Sequence, residues 1–213
     1  MSKTSKQNID CPKCKTPNDF TLYNSANVTN DPELKTKILN RDLFLFTCKE
    51  CAFKTMIEYP IMYHDMDNRL IVWLLRDFSM EEFIAQQSMW FASGYRVRVV
   101  ENLHELIEKI TIFDNNLKDT AIEYLKRSIT LQALMQMRNI LEIYFTGIEK
   151  HEGKDCLAFV LVEKDSVNGA YHPLDGVGTL FTDYPEDFRE LRDEGRVLVN
   201  QKTATDWFNE KDK

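Results

Sequence analysis

The chain has 213 residues, 43% of them apolar, with only 7 Gly and 6 Pro. That is enough hydrophobic material for one large packed domain or two small ones, and it excludes global disorder. The formal charge of −7 is uneven: residues 1–57 carry nine Lys/Arg against six Asp/Glu, and residues 58–213 carry eighteen against twenty-eight. No concentrated basic face of the kind nucleic-acid binders use is visible, so nucleic acid is not the expected partner.

No apolar run approaches the length of about 18 residues that a membrane helix needs, so no membrane association is expected. The polar start, Met1 to Asn8, lacks the apolar stretch of a secretory signal. Of five cysteines, four fall in metal-type pairs rather than a disulfide framework, and the expected compartment is cytoplasmic.

The first pair is Cys11-Pro12-Lys13-Cys14 and the second is Cys48-Lys49-Glu50-Cys51. Two residues between sulfurs let a tight turn aim both thiolates at one ion. Two such turns supply the four ligands of a tetrahedral zinc site, so Cys11, Cys14, Cys48 and Cys51 are the expected metal ligands. Iron in a rubredoxin-like site uses similar ligands and is the alternative metal. The 33 residues between the pairs exceed the usual spacing of about 15 to 20, which predicts an insertion. A thioredoxin-like redox role for Cys11 and Cys14 would need a helix directly after the pair, where Lys15-Thr16-Pro17-Asn18 reads as a loop. Zinc-ribbon knuckles often place Gly after the second cysteine, where φ is positive; here Lys15 and Ala52 stand there.

In chain order, Phe20 to Asn24 alternates as a short strand. Asp31-Pro32-Glu33-Leu34 opens a helix, with Asp31 as cap and an end near Asn40. Leu43 to Thr47, Phe53 to Tyr59 and Leu70 to Leu75 read as strands, the last two joined by a loop through His64, Asp65, Met66, Asp67 and Asn68. Ser79 to Glu82 has capping-box spacing, with Met80, Phe83, Ile84, Trp90 and Phe91 as the apolar stripe and Gly94 as the stop. Tyr95 to Val100 is extended with one apolar face. Asn102 caps a second helix carried by Leu103, Leu106, Ile107 and Ile110. A third runs from about Leu117 to Arg138, with Ala121, Tyr124, Leu125, Leu134 and Met135 inward. Leu141 to Ile148 and Cys156 to Val162 then form a hairpin through Glu149 to Lys154, and Asn168-Gly169 marks another turn. Pro185 to Glu194 reads as an acidic helix, Arg196 to Val199 as a strand and Thr203 to Phe208 as a final helical turn.

The paired cysteines, the Asp31-Pro32-Glu33-Leu34 helix, the stretch Tyr59 to Asp65 and the segment Arg98 to Ile110 together resemble the CpXC family over about the first 130 residues. That resemblance implies a zinc-ribbon-like N-terminus and no particular activity. The resulting fold class is α+β, with a zinc-ribbon-like N-terminal β-sheet carrying a helical insertion, central helices, and a small C-terminal α/β portion. The expected regions are 1–76, 77–138 and 139–213.

Other residues offer chemistry less clearly. His64, Asp65 and Asp67 suit a second metal or an acid–base pair, but a polar turn is the preferred reading. His104 reads as a surface residue in a first helical turn. His172 with Asp175 and Asp183, near Tyr171, Phe181 and Tyr184, is the one cluster suited to an enzyme site, with Gly176 and Gly178 in its loop. No nucleophile elbow or phosphate loop accompanies it. Cys156 lies in an apolar strand and reads as a buried structural thiol. Trp73, Trp90 and Phe91 read as core. The expected function is a non-enzymatic zinc protein that binds a protein partner. An enzyme around His172, or a weak nucleic-acid-binding ribbon using Lys3, Lys6, Lys13, Lys15 and Lys54, is the alternative. Oligomeric state is not legible.

Overall fold

A computed structural model describes residues 2–77, 79–175 and 197–203. The chain forms two compact units, Met1–Ile107 and Glu108–Lys213. The class is α+β, as expected from sequence.

The first unit is built on a five-stranded sheet. Its strands are β1 (Lys3–Asp10), β2 (Pro17–Asn27), β5 (Ile61–Asp65), β6 (Leu70–Leu74) and β7 (Arg96–Val100), hydrogen-bonded in that order. β1 runs antiparallel to β2, and β5 to β6, while the β2–β5 and β6–β7 pairs are parallel. Parallel neighbours need a long crossover. From β6 to β7 that crossover is helix α2 (Met80–Ala92). From β2 to β5 it consists of α1 (Glu33–Leu39), a 3-10 turn (Asp42–Phe44) and a small hairpin of β3 (Leu45–Thr47) and β4 (Lys54–Met56). The wide gap between the cysteine pairs therefore has a topological cause: it holds β2 and most of a crossover.

Local chemistry explains most boundaries. Ser79 Oγ accepts the Glu82 N–H and caps α2, which ends where Gly94 takes φ of 74°. α3 (Leu103–Asp114) starts with a variant of the capping box in which the return bond goes to the residue before the cap. Asn102 Oδ1 accepts the Glu105 N–H, and Glu105 reaches back to the Glu101 N–H. At α1 the cap position belongs to Pro32, and no side chain caps it, so Asp31 does not have the expected role.

β1, polar in sequence apart from Ile9, is a strand because β2 supplies its partner. Two further expectations are corrected. The segment expected to be one strand over Phe53 to Tyr59 stops at Met56, and β5 begins after Pro60, so His64 and Asp65 lie on a strand rather than in a loop. In β7, Arg98 is 1% exposed and donates from Nη1 to the Val97 carbonyl, so that strand is buried on both faces rather than one.

The second unit contains the end of α3, helix α4 (Asp119–Met135) and an antiparallel sheet ordered β10 (Val167–Pro173), β9 (Lys154–Glu163), β8 (Ile140–His151). Glu152 and Gly153, with φ of 51° and 80°, make the two-residue turn between β8 and β9, tighter than the expected connection. Asn168-Gly169 is not a turn but part of β10; the chain reverses at residues 164–166, where Asn168 Nδ2 donates to Glu163 Oε2. Ile112, Ile122, Leu125, Ile143, Phe145, Leu157, Phe159 and Leu161 form the core. Leu134 and Met135, expected inward, are 53% and 86% exposed at the C-terminal end of α4.

Beneath that core lies a buried ionic network. Lys126 Nζ lies 3.0 Å from both Glu108 carboxylate oxygens and from Glu123, while Lys109 Nζ bridges Glu123 at 3.0 Å and Asp119 at 3.4 Å. Glu108 Oε1 also accepts the Phe145 N–H at 2.6 Å, tying the helices to β8. Burial disfavours the Lys126 cation, but Glu108 and Glu123 outweigh that and raise it above the usual lysine range. The acidic helix expected over Pro185 to Glu194 lies outside the described residues, as does most of the final helical turn. Residues 197–199 are described and are not a strand.

Candidate metal centre

The two knuckles share one backbone design. The first joins β1 to β2, where the Cys11 N–H bonds the Thr16 carbonyl and the Lys15 N–H bonds the Cys11 carbonyl. The second joins β3 to β4, where the Cys48 N–H bonds the Phe53 carbonyl and the Ala52 N–H bonds the Cys48 carbonyl. Each turn forces its fifth residue into the left-handed region, with φ of 61° at Lys15 and 54° at Ala52. These are the positions where a glycine would sit without strain.

All four sulfurs lie within 4.8 Å of one another. Two of the approaches cross between knuckles, Cys11 to Cys51 at 3.7 Å and Cys14 to Cys48 at 3.6 Å. Four sulfurs held about 2.3 Å from a central ion stand about 3.8 Å apart along each tetrahedral edge. The donor set therefore fits a metal ion. A thioredoxin-like arrangement does not match, since strand β2 and not a helix follows Cys14.

Cys11, Cys48 and Phe46 are buried, with Ile9, Phe20, Phe53 and Ile57 around them. Phe20 stacks obliquely on Phe46 and edge-on to Tyr59, whose hydroxyl donates to the Leu43 carbonyl. Within this apolar shell the sulfurs differ. The backbone N–H of Cys51, helped by that of Glu50, outweighs burial and lowers the Cys48 thiol to about 6. Thr16, through its hydroxyl and then its backbone, lowers Cys14. At Cys51 the Phe53 N–H pulls downward, but burial and the three neighbouring sulfurs push it up to about 12. Four thiolates this close repel one another, so full deprotonation needs a cation among them.

Two residues flanking the start of β2 support the sulfurs and carry no sequence signal of their own. Thr16 Oγ1 lies 3.4 Å from Cys14 Sγ, and Asn18 Nδ2 lies 3.6 Å from Cys48 Sγ. Both are ordinary polar residues in a loop-like stretch, and only the three-dimensional closure of the knuckles reveals them.

A family model described as CpXC protein matches residues 9–126, both knuckles included. The chain belongs to the CpXC family. No curated protein and no solved structure is significantly similar to it.

The remaining candidates in this CpXC chain are dispersed. Among the described residues, the four cysteines are the one group of three or more His, Cys, Asp or Glu side chains close enough to hold a metal. His64 is buried, with Nε2 3.3 Å from the Tyr95 hydroxyl and its ring edge-on to Trp90. Asp65 closes the turn after β5 by accepting the Asn68 N–H and Asn68 Nδ2, and Asp67 is exposed. His104 is exposed on the first turn of α3. His172 lies on β10 with Nδ1 3.0 Å from the Pro173 carbonyl, Asp175 is exposed, and Asp183 lies outside the described residues. Cys156 is a buried thiol on β9, and Trp73 meets Phe83 edge-on. No helix among the described residues is long and apolar enough to cross a membrane.

Proposed function

We propose that the chain is a zinc protein whose Cys11, Cys14, Cys48 and Cys51 site is structural, and that it works without catalysis by binding a protein partner. The observation that carries this reading is the convergence of all four sulfurs within 4.8 Å of one another, with Cys11–Cys51 at 3.7 Å and Cys14–Cys48 at 3.6 Å across the knuckles. Four protein ligands complete a tetrahedral shell and leave no position for water or substrate. Zinc suits such a shell because it is redox-inert and takes its geometry from the ligands; iron in the same cage is the competing metal.

The partner reading is supported by Leu131, Leu134 and Met135, exposed apolar residues at helical spacing on α4. The net charge of −7 counts against a concentrated basic surface for nucleic acid. If the metal is structural, its binding energy is folding energy for the small β3–β4 hairpin and first knuckle. Hydrogen exchange on wild type, chelated protein and Cys48→Ser tests this. Protection lost around residues 9–60, with the second unit retained, is the expected result. Protection unchanged everywhere, with loss of some measurable turnover, would make the metal catalytic instead.

A further inference from the structure

We propose that Asn18 is the positioning residue of the metal centre: its carboxamide locks one knuckle to the other and gives the Cys48 sulfur its side-chain hydrogen bond. This rests on the reading of the four cysteines as ligands of one ion. Asn18 is the second residue of β2 and is 3% exposed. Its contacts divide between the two turns. Nδ2 donates to the Thr16 carbonyl at 2.7 Å, the same carbonyl that closes the first knuckle by accepting the Cys11 N–H. Nδ2 also donates to Cys48 Sγ at 3.6 Å, and Oδ1 accepts the Lys49 N–H at 2.8 Å, inside the second knuckle.

These partners fix which way the carboxamide points. Turned over, its nitrogen would face the Lys49 N–H and its oxygen would face the Thr16 carbonyl, donor against donor and acceptor against acceptor. In the orientation that remains, one N–H holds Thr16 and the other is directed to a sulfur. No other residue type does all three jobs in this space: Asp has the acceptor but neither donor, and Ala has none. The sequence keeps the two knuckles thirty or more residues apart, so no backbone bond within either turn can set the distance between them. Asn18 sets it through one planar group. An N–H directed at a thiolate also drains electron density from that sulfur, so Cys48 becomes a weaker donor to the metal than it would otherwise be.

The test compares wild type, Asn18→Asp and Asn18→Ala in zinc and cobalt(II) competition against a chelator. Outer partners of this kind are worth about 10- to 100-fold in metal affinity, and both variants are expected to lose that much. In Asn18→Asp the sulfur-to-cobalt charge-transfer band should also move to longer wavelength, which a merely structural loosening would not produce. Affinity and band both unchanged in Asn18→Asp would overturn the proposal while leaving the four-cysteine reading intact. Wild type without a tetrathiolate cobalt spectrum would overturn both. A second measurement needs no variant: NMR of cadmium-loaded wild type should show coupling between cadmium and one Asn18 side-chain amide proton. Rapid solvent exchange of both those protons would refute the hydrogen bond directly.

Discussion

Ala52→Gly should stabilise the metal centre, and its size follows from three features of the second knuckle. Ala52 sits at φ of 54°, where an L side chain costs about 1–2 kcal/mol through the clash of Cβ with the carbonyl. Its methyl is exposed, so removing it forfeits little buried surface. Glycine gives back about 0.5–1 kcal/mol by making the unfolded chain more flexible. The difference is a gain of about 0.5–1 kcal/mol. Because metal binding and folding of the knuckle are linked, this becomes about two- to fivefold tighter metal binding. Chelator competition reads it, with thermal unfolding of the loaded protein as a second measure. Ala52→Val should move both in the opposite direction, since β-branching worsens the same clash. Weaker binding in Ala52→Gly, or a gain in Ala52→Val, would refute the strained-turn argument.

Lys126→Met should be among the most damaging single changes in the second unit, costing about 3–5 kcal/mol in urea unfolding because Glu108 would lose its buried cation and Glu123 would keep only Lys109. A cost below about 1 kcal/mol would mean the network is better solvated than its burial implies. His64 should make stability fall as pH drops. Burial holds its imidazolium below the usual histidine value, so the neutral form is favoured in the fold. The contribution is fully present above the unfolded value near about 6.5 and is lost as pH falls below it toward the folded value. His64→Phe should flatten the fall in stability below about pH 6.5, and an unchanged slope would refute that assignment.

The cysteine pairs were legible because their chemistry is local: two intervening residues suffice to form a turn. The capping signals at Ser79 and Asn102 were legible for the same reason. What the sequence hid depends on partners distant in the chain. β1 has no apolar alternation and becomes a strand only through β2. Asn168-Gly169, a strong turn signal by composition, is pulled into β10 by pairing with β9, and Asn168 serves the real turn with its side chain. Arg98, Glu108, Lys109, Glu123 and Lys126 carry charges that usually mark an exposed face, and only mutual pairing allows the four from the second unit to be buried together. Asn18 was invisible in the same way, since its three partners, Thr16, Cys48 and Lys49, lie in two turns about thirty residues apart in the chain.

The central claim is that Cys11, Cys14, Cys48 and Cys51 together bind one structural zinc ion. Metal analysis combined with X-ray absorption on protein purified without added metal tests it most directly. The account predicts close to one zinc per chain, surrounded by four sulfurs at about 2.3 Å, and loss of that signature in Cys48→Ser. Iron at the same stoichiometry would replace zinc with a rubredoxin-like centre. Metal-free protein with a Cys11–Cys14 disulfide would contradict the claim outright.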